Sequence, residues 1–178
     1  MVAVPSDVSL EHYRETPLDF DPHRLYLQEP PYSYHKPRGF WVSVKGEDDW
    51  PDWCICNEFR PHCLAHCYEV TLCPKANVHL IDNSADLLAF HGTYSVLDDF
   101  AAKYCSRPGD HDLFGNRMQA IDWRKVASDY DGIIIAPYIW SQRLLGPHWY
   151  YGWDCASGCI WNLCAVAGVE RVDEPEST

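Results

Sequence analysis

Four polar side chains in the sequence, His12, Arg14, Ser43 and Asp154, are of types that act on sugars and phosphates. A histidine or an arginine can hydrogen-bond sugar hydroxyls or a phosphate, and arginine does so with a planar fork of donors. A carboxylate stabilises the positive charge that develops on a sugar ring when a neutral group leaves it. A serine hydroxyl can hold the sugar or the edge of a strand. The four residues are far apart in the sequence, so such a site depends on the fold that joins them.

A purely structural role stays open for each of these four residues. His12 and Arg14 can be surface or solvated side chains on a strand. Ser43 lies among residues typical of a core and can be a small, satisfied hydroxyl. Asp154 can cap a turn through its own backbone.

Three aromatic residues near the polar candidates can supply flat surfaces for a planar ring. Tyr13 and Trp41 adjoin the segments that carry them, and Tyr138 directly follows a segment that we interpret as a buried strand. Trp and Tyr side chains are rigid and stack well on planar groups. Loop residues that follow a buried strand often form pockets.

Nine cysteines are present, and four of them, Cys54, Cys56, Cys63 and Cys67, form a cluster with two histidines among them. These side chains suffice in number and type for a zinc site. The spacing differs from the usual pair of C-x2-C knuckles, and residues 54 and 56 do not share a face of the helix that we predict there. We therefore expect reduced, mostly buried thiols and no metal, and keep a zinc-binding domain built on this cluster as an alternative.

The charge and composition of the chain exclude some classes of protein. Of 178 residues, 14 are Lys or Arg and 26 are Asp or Glu, so the formal net charge is −12. This acidity argues against a protein that binds nucleic acid through bulk charge. Aromatic residues make up 14% of the chain, whereas a disordered chain contains few of them. The length favours one domain over residues 1–169, followed by an acidic C-terminal tail over residues 170–178.

The N-terminal segment has neither the basic nor the apolar region of a signal peptide. No stretch of the sequence approaches the length of an apolar membrane span. We therefore expect a cytoplasmic protein with reduced thiols and no membrane partner.

Hydrophobic periodicity and turn residues predict strands towards both ends of the chain and helices mainly in the middle. The predicted strands are residues 8–14, 39–45, 67–72, 77–82, 132–136, 149–153 and 158–166. The predicted helices are residues 48–59, a short helix that follows Asn83, and residues 94–104 and 122–130. The predicted loops are residues 15–36, 105–118 and 137–147. This order does not suit a regularly alternating parallel sheet. It predicts an α+β fold with split, strongly bent mixed or antiparallel sheets and a few helices.

The order of these elements and their short motifs resemble the ADP-ribosyltransferase fold. Residues 11–14, Glu-His-Tyr-Arg, are similar to the family's first strand, which carries a His or an Arg. Residues 36–43, Lys-Pro-Arg-Gly-Phe-Trp-Val-Ser, are similar to its second strand, which carries a Ser or a Tyr. Residues 68–81, 129–135 and 149–161 resemble the strands that follow.

The resemblance implies a function as well as a fold. Members hold NAD in a cleft between two small sheets and cleave its nicotinamide–ribose bond. The chain would then use NAD as a substrate, either to modify a protein, DNA or RNA acceptor or to hydrolyse NAD. The residues to which the resemblance assigns catalysis are His12, Ser43 and Asp154. The residues to which it assigns contacts with NAD are His12, Tyr13, Arg14, Trp41, Ser43 and Tyr138.

The sequence departs from the family at the acidic position. A late strand of the family usually carries a Glu, whereas the nearest acid here is Asp154, which is one methylene shorter. Either Asp154 substitutes for that Glu, or an acid from elsewhere does, or the activity is weak, altered or absent. A non-catalytic binding or antagonist protein on the same scaffold is therefore a second hypothesis.

Overall fold

The computed structural model describes residues 8–31, 36–97 and 119–172. The strands in this part of the chain are β1 Leu10–Arg14, β2 Phe40–Val44, β3 His66–Leu72, β4 Val78–Ile81, β5 Ser95–Leu97, β6 Gln119–Ile121, β7 Gly132–Ile135, β8 Ser157–Ile160 and β9 Val166–Arg171. The α-helices are α1 Trp50–Cys56, α2 Ser84–Tyr94, α3 Trp123–Asp129 and α4 Trp140–Arg143. Short 3₁₀ helices span Pro61–Leu64, His148–Gly152 and Leu163–Ala165. The predicted loop over residues 105–118 lies outside the described residues.

Seven of these strands form one sheet in the order β4-β7-β8-β2-β1-β3-β9, and β5 pairs with β6 in a separate ribbon. The β4–β7 pair is parallel, and the other neighbours in the large sheet are antiparallel. The sheet curls strongly into a half-barrel. The coarse prediction of an α+β fold with a strongly bent mixed sheet is therefore confirmed.

The large sheet opens between its central strand, β2, and the neighbouring strand β1. β1 pairs with β3 over five residues, and β2 pairs with β8 over four. In contrast, β1 and β2 pair only at Leu10↔Val44 and Glu11↔Ser43. Beyond these two pairs the strands separate, and the Nδ1 atom of His12 lies 2.7 Å from the carbonyl oxygen of Trp41. The opening creates concave surface in the middle of the sheet.

Both faces of the sheet are covered, as the alternation of isoleucines along β7 illustrates. Ile133 and Ile135 belong to a core cluster rich in tryptophan and tyrosine, whereas Ile134 belongs to a second, mainly aliphatic cluster. Successive side chains of a strand point to opposite faces. A strand that is buried on both faces therefore has a continuous apolar sequence. The apolar run over residues 132–136 predicted such a strand.

Local signals in the sequence explain where the helices begin. The side chain of Asp49 accepts a hydrogen bond from the Asp52 N–H at the start of α1. Asn83 caps α2 in the same way, and Asp122 caps α3. Each side chain satisfies backbone donors that the first helical turn leaves unpaired.

The structure differs from the prediction in several places: α4 lies in the predicted loop over residues 137–147, and β6 has no predicted counterpart. Of the predicted helix over residues 94–104, residues 95–97 form β5, whereas α2 extends to Tyr94. Residues 98–104 of that prediction lie outside the described residues. Residues 149–153, predicted as a strand, lie mostly in the 3₁₀ helix His148–Gly152, where packing overrides the β-propensity of the aromatic residues. The predicted strand 158–166 is divided between β8 and β9 by the 3₁₀ helix Leu163–Ala165, and β9 reaches into the segment predicted as an acidic tail.

None of the helices in the described ranges is both long enough and apolar enough to cross a membrane.

Candidate functional site

A cavity of about 350 Å³ lies at the opening between β1 and β2, and we call it the central cavity. Five residues predicted from the sequence as site residues line it: His12, Tyr13, Trp41, Ser43 and Asp154. They come from β1, from β2 and from the loop before β8. The volume is within the range of about 300–1,000 Å³ that is usual for small-molecule sites.

His12 is held firmly at the boundary of the central cavity. Its Nδ1 atom lies 2.7 Å from the Trp41 carbonyl oxygen, and its ring stacks on that of Phe40 at a centroid distance of 4.1 Å. A carbonyl can only accept, so Nδ1 donates its hydrogen and the Nε2 atom of the neutral ring keeps a lone pair. Burial lowers the pKa of His12, and the positive charge of Arg14 acts in the same direction. At neutral pH the ring is therefore uncharged and can accept a hydrogen bond from a ligand.

We expect the free energy of unfolding to decrease as the pH falls below about 6.5, the ordinary pKa of histidine. Burial lowers the pKa values of His12, His79 and His91 in the folded chain, so in this window the unfolded chain binds protons that the folded chain does not. The contribution of these neutral histidines to stability is complete at a pH above their pKa in the unfolded chain. It is lost as the pH falls through their lower pKa values in the folded chain. Urea unfolding at a series of pH values measures this decrease.

The variant His12→Asn isolates the contribution of His12 to this pH dependence. Asparagine keeps an N–H donor for the Trp41 carbonyl but does not titrate. The variant should reduce the slope of stability against pH by up to about 1.4 kcal/mol per pH unit. An unchanged slope would show that His12 takes up no proton on unfolding.

Ser43 joins the central cavity to helix α1. The residue is buried, and its Oγ atom accepts a hydrogen bond of 2.9 Å from the backbone N–H of Trp50. Trp50 is the first residue of α1 and also lines the central cavity. The Ser43 hydroxyl therefore has a structural partner and, at the same time, a position on the cavity wall.

Asp154 lies between two cations in the loop that leads to β8. Its Oδ2 atom is 3.0 Å from the Lys36 Nζ atom, and its Oδ1 atom is 3.9 Å from the Arg143 guanidinium. The Lys36 ammonium also lies 5.3 Å from the centre of the Trp41 ring. The carboxylate is thus fixed beside the cavity, about one quarter exposed, with an aromatic surface close by.

Tyr138 is not among the residues that line the central cavity. It is buried, its hydroxyl donates a hydrogen bond of 2.6 Å to the Trp153 carbonyl, and it accepts one from the Arg143 guanidinium. Burial raises the pKa of Tyr138. In this arrangement Tyr138 orients Arg143, which in turn approaches Asp154, so Tyr138 acts at a distance from the cavity.

The hydroxyl of Tyr13 points to the neighbouring carboxylate rather than to solvent. It donates to Glu11, a buried carboxylate that also accepts a hydrogen bond of 2.9 Å from Lys45 Nζ. Burial raises the pKa of Tyr13, and the hydrogen bond to Glu11 adds to the shift. Tyr13 therefore presents mainly its ring to the central cavity.

A second cavity, of about 270 Å³, adjoins the central one, and His12 and Trp41 line both. Arg14 and Arg24 contribute to its wall, together with Phe40 and the carboxylates of Asp19 and Asp21. The Nη2 atom of Arg14 donates to the Thr16 hydroxyl. Its Nε atom is buried and has no hydrogen-bond partner within the described part of the chain. A buried guanidinium N–H without a partner costs free energy, which a rearrangement that brings an acceptor to it would recover.

Sequence reasoning missed several residues of the central cavity, namely Lys36, Trp50, Cys63, Cys155 and Ser157. Lys36 begins the segment on which the family resemblance depends, so its position in the sequence was a usable signal. Nothing in the sequence around Arg143 links that residue to Asp154, because the contact arises only from the packing of α4 against the loop before β8.

The cysteine cluster at residues 54–67 brings two of its thiols together. The Sγ atoms of Cys54 and Cys63 are 3.7 Å apart, and Cys56 is exposed. No group of three or more His, Cys, Asp or Glu side chains in residues 8–31, 36–97 and 119–172 is arranged to hold a metal ion.

A comparison of the chain with family models, with curated proteins and with solved structures finds no match in any of the three.

Proposed function

We propose that the chain is an NAD-dependent mono-ADP-ribosyltransferase, or an NAD glycohydrolase on the same fold. The observation that carries this proposal is that His12, Ser43 and Asp154 line one cavity, although they come from three distant segments. These are the residues to which the sequence resemblance assigns catalysis. Their meeting is independent of that resemblance, because it follows from the register of β1, β2 and β8.

The chemistry that the central cavity can support is heterolysis of a glycosidic bond to a neutral leaving group. When the nicotinamide–ribose bond breaks, both electrons go to the pyridinium nitrogen, and positive charge develops on the ribose. Asp154 supplies a negative charge beside the cavity that stabilises this ribose cation. Trp41 and Trp50 supply aromatic surface for the nicotinamide ring. The acceptor, or water, then adds to the ribose carbon and loses a proton.

The second cavity is suited to the diphosphate of the same molecule. Arg14 and Arg24 place two guanidinium groups on its wall, and a diphosphate would compete for them with the carboxylates of Asp19 and Asp21, which also line it. The Arg14 Nε–H is buried without a partner in the described residues. Guanidinium groups bind phosphate oxygens through charge-assisted hydrogen bonds. Because His12 and Trp41 line both cavities, one extended ligand can occupy the two at once.

Replacing Arg14 by Gln is expected to weaken NAD binding by about 10- to 100-fold, the cost of losing charged hydrogen bonds. The affinity for ADP should fall by a similar factor, because the lost contact is with the diphosphate. Isothermal titration calorimetry with NAD and with ADP measures both affinities. Arg124→Gln is the matched control, since Arg124 is exposed and pairs with Asp122. Equal loss in the two variants would contradict the assignment of the second cavity.

One observation favours the alternative of a non-catalytic binding protein. Lys36 and Arg143 already surround the Asp154 carboxylate, at 3.0 and 3.9 Å. A ribose cation would have to compete with these cations for the negative charge. On this second hypothesis the same cavities bind NAD or a related nucleotide without cleaving it.

Incubation of the purified chain with NAD separates these possibilities. Chromatography of the products measures free nicotinamide, with and without protein, DNA and RNA as acceptors. Release that requires an acceptor identifies a transferase, and release into water alone identifies a glycohydrolase. Binding of NAD by calorimetry without release would favour the binding protein. Neither binding nor release would overturn the proposed function.

A further inference from the structure

Two thiols, those of Cys54 and Cys63, lie close together beside the central cavity, and Cys63 is part of its wall. Their Sγ atoms are 3.7 Å apart. Cys54 belongs to α1 and is buried, whereas Cys63 belongs to the 3₁₀ helix Pro61–Leu64, is half-buried and lines the cavity. The turn between the two helices contains Glu58 and Arg60 with φ of 49° and 34°, in the left-handed region that side chains rarely adopt. The fold therefore holds the two thiols together through an unusual backbone conformation.

We propose that Cys54 and Cys63 form a thiol–disulfide pair that exchanges with low-molecular-weight disulfides such as glutathione disulfide. The Cys63 thiolate attacks one sulfur of glutathione disulfide, which gives a mixed disulfide and releases one glutathione. Cys54 then loses its proton, and its thiolate attacks the Cys63 sulfur, which closes the protein disulfide and releases the second glutathione. The two protein thiols lose two electrons and two protons, and one glutathione disulfide becomes two molecules of glutathione.

The environments of the two thiols determine the order of these steps. A thiolate, rather than a thiol, attacks a disulfide, and access to the reagent is also required. Burial raises the pKa of Cys54, and its side chain is only 3% exposed. Cys63, on the open wall of the cavity, is therefore the thiol that meets the external disulfide first.

Closing the bond requires the two sulfur atoms to move closer together. A disulfide brings its sulfur atoms to about 2.05 Å, so the pair must approach by roughly 1.7 Å. The residues between them belong to two short helices and the exposed turn that joins them. Cys56 cannot replace Cys54, because side chains two residues apart on a helix do not share a face.

Oxidation of this pair is expected to change the central cavity. Trp50 begins the same helix as Cys54, lines the cavity beside Cys63 and donates its backbone N–H to Ser43. Drawing α1 towards Cys63 therefore moves the wall that Trp50 forms. The exchange reaction itself is independent of the proposed function, whereas its effect on NAD binding depends on that function.

The exchange is tested on the whole reduced chain, incubated with glutathione disulfide and then alkylated. Chymotrypsin cleaves after Phe59 and so separates the two cysteines, and mass spectrometry identifies the peptides that remain linked. We expect a 54–63 cross-link in the wild type and in Cys56→Ser, and its loss in Cys54→Ala and Cys63→Ser. Circular dichroism shows whether each variant is folded. Absence of the cross-link in the folded wild type would overturn the proposal. So would a link between the same two peptides in Cys54→Ala, because only Cys56 could then supply it.

Calorimetry with NAD on the reduced and oxidised wild type tests the effect on the cavity. We expect the affinity for NAD to differ by several-fold between the two forms and to be unaffected by oxidant in Cys63→Ser. Equal affinities in the two wild-type forms would overturn the link between the thiol pair and the cavity. If neither form binds NAD, the proposed function fails, and the cross-linking result still decides the proposal about the thiols.

Discussion

Replacing Asp154 by asparagine is expected, on the proposed function, to slow nicotinamide release by about 100- to 1,000-fold, the usual effect of removing one group that stabilises transition-state charge. Asparagine keeps the size of the side chain and one acceptor oxygen but removes its negative charge. The affinity for NAD should change much less, because the charge on the ribose develops only as the bond breaks. The rate of nicotinamide release and the affinity for NAD, measured on the same preparation, separate the two effects.

Asp154→Glu is the matched control for this variant. Glutamate keeps the negative charge and is one methylene longer than aspartate. It is the residue that ADP-ribosyltransferases, the family that the sequence resembles, usually carry at this position. We expect nicotinamide release to be much faster in Asp154→Glu than in Asp154→Asn. If the asparagine variant releases nicotinamide as fast as the wild type, Asp154 has no catalytic role and the acid must come from elsewhere.

Trp161→Ala is expected to lower the free energy of unfolding by about 4 kcal/mol, as large-to-small changes of buried aromatic residues do. Trp161 is only 1% exposed and belongs to the aromatic core cluster. Its Nε1–H donates a hydrogen bond of 2.6 Å to the Tyr130 carbonyl. Alanine leaves a void and also leaves that carbonyl without its donor. Urea unfolding measures the change, and the melting temperature should fall by roughly 8–16 °C.

Two further variants test whether this loss arises from packing in the core. Trp161→Phe keeps much of the apolar contact but not the hydrogen bond, so we expect a smaller loss than for alanine. Leu145 is 90% exposed, and Leu145→Ala should change the free energy of unfolding by less than about 0.5 kcal/mol. Similar effects of Trp161→Ala and Leu145→Ala would contradict the position of Trp161 in the core.

Elements with strong local signals could be predicted from the sequence. The predicted helix starts near residues 48, 83 and 122 are confirmed, and the side chains of Asp49, Asn83 and Asp122 cap them. The β-branched runs 39–45 and 132–136 contain β2 and β7. A capping side chain bonds the backbone of its own helix, and the apolar residues of a strand follow one another directly in the sequence. Both signals are therefore local.

Predictions failed where tertiary contacts outweigh local preference. The aromatic residues 149–153 have high β-propensity, yet Trp149 and Tyr150 are buried in a 3₁₀ turn. There the Tyr150 hydroxyl accepts a hydrogen bond from the Ile139 backbone N–H. That contact joins two segments of the chain, so the β-propensity of residues 149–153 alone does not predict it.

By itself the sequence determined which side chains could act on a sugar phosphate, because the types of His12, Arg14, Ser43 and Asp154 limit what they can bind. Only the tertiary structure decided which of them meet. β1 and β2 pair at just two positions and then separate, which opens a cavity that reaches Asp154. The tertiary structure also placed Lys36 beside the Asp154 carboxylate. Strand separation and ion pairing across more than 100 residues depend on register and packing of the whole sheet, which local sequence patterns do not encode.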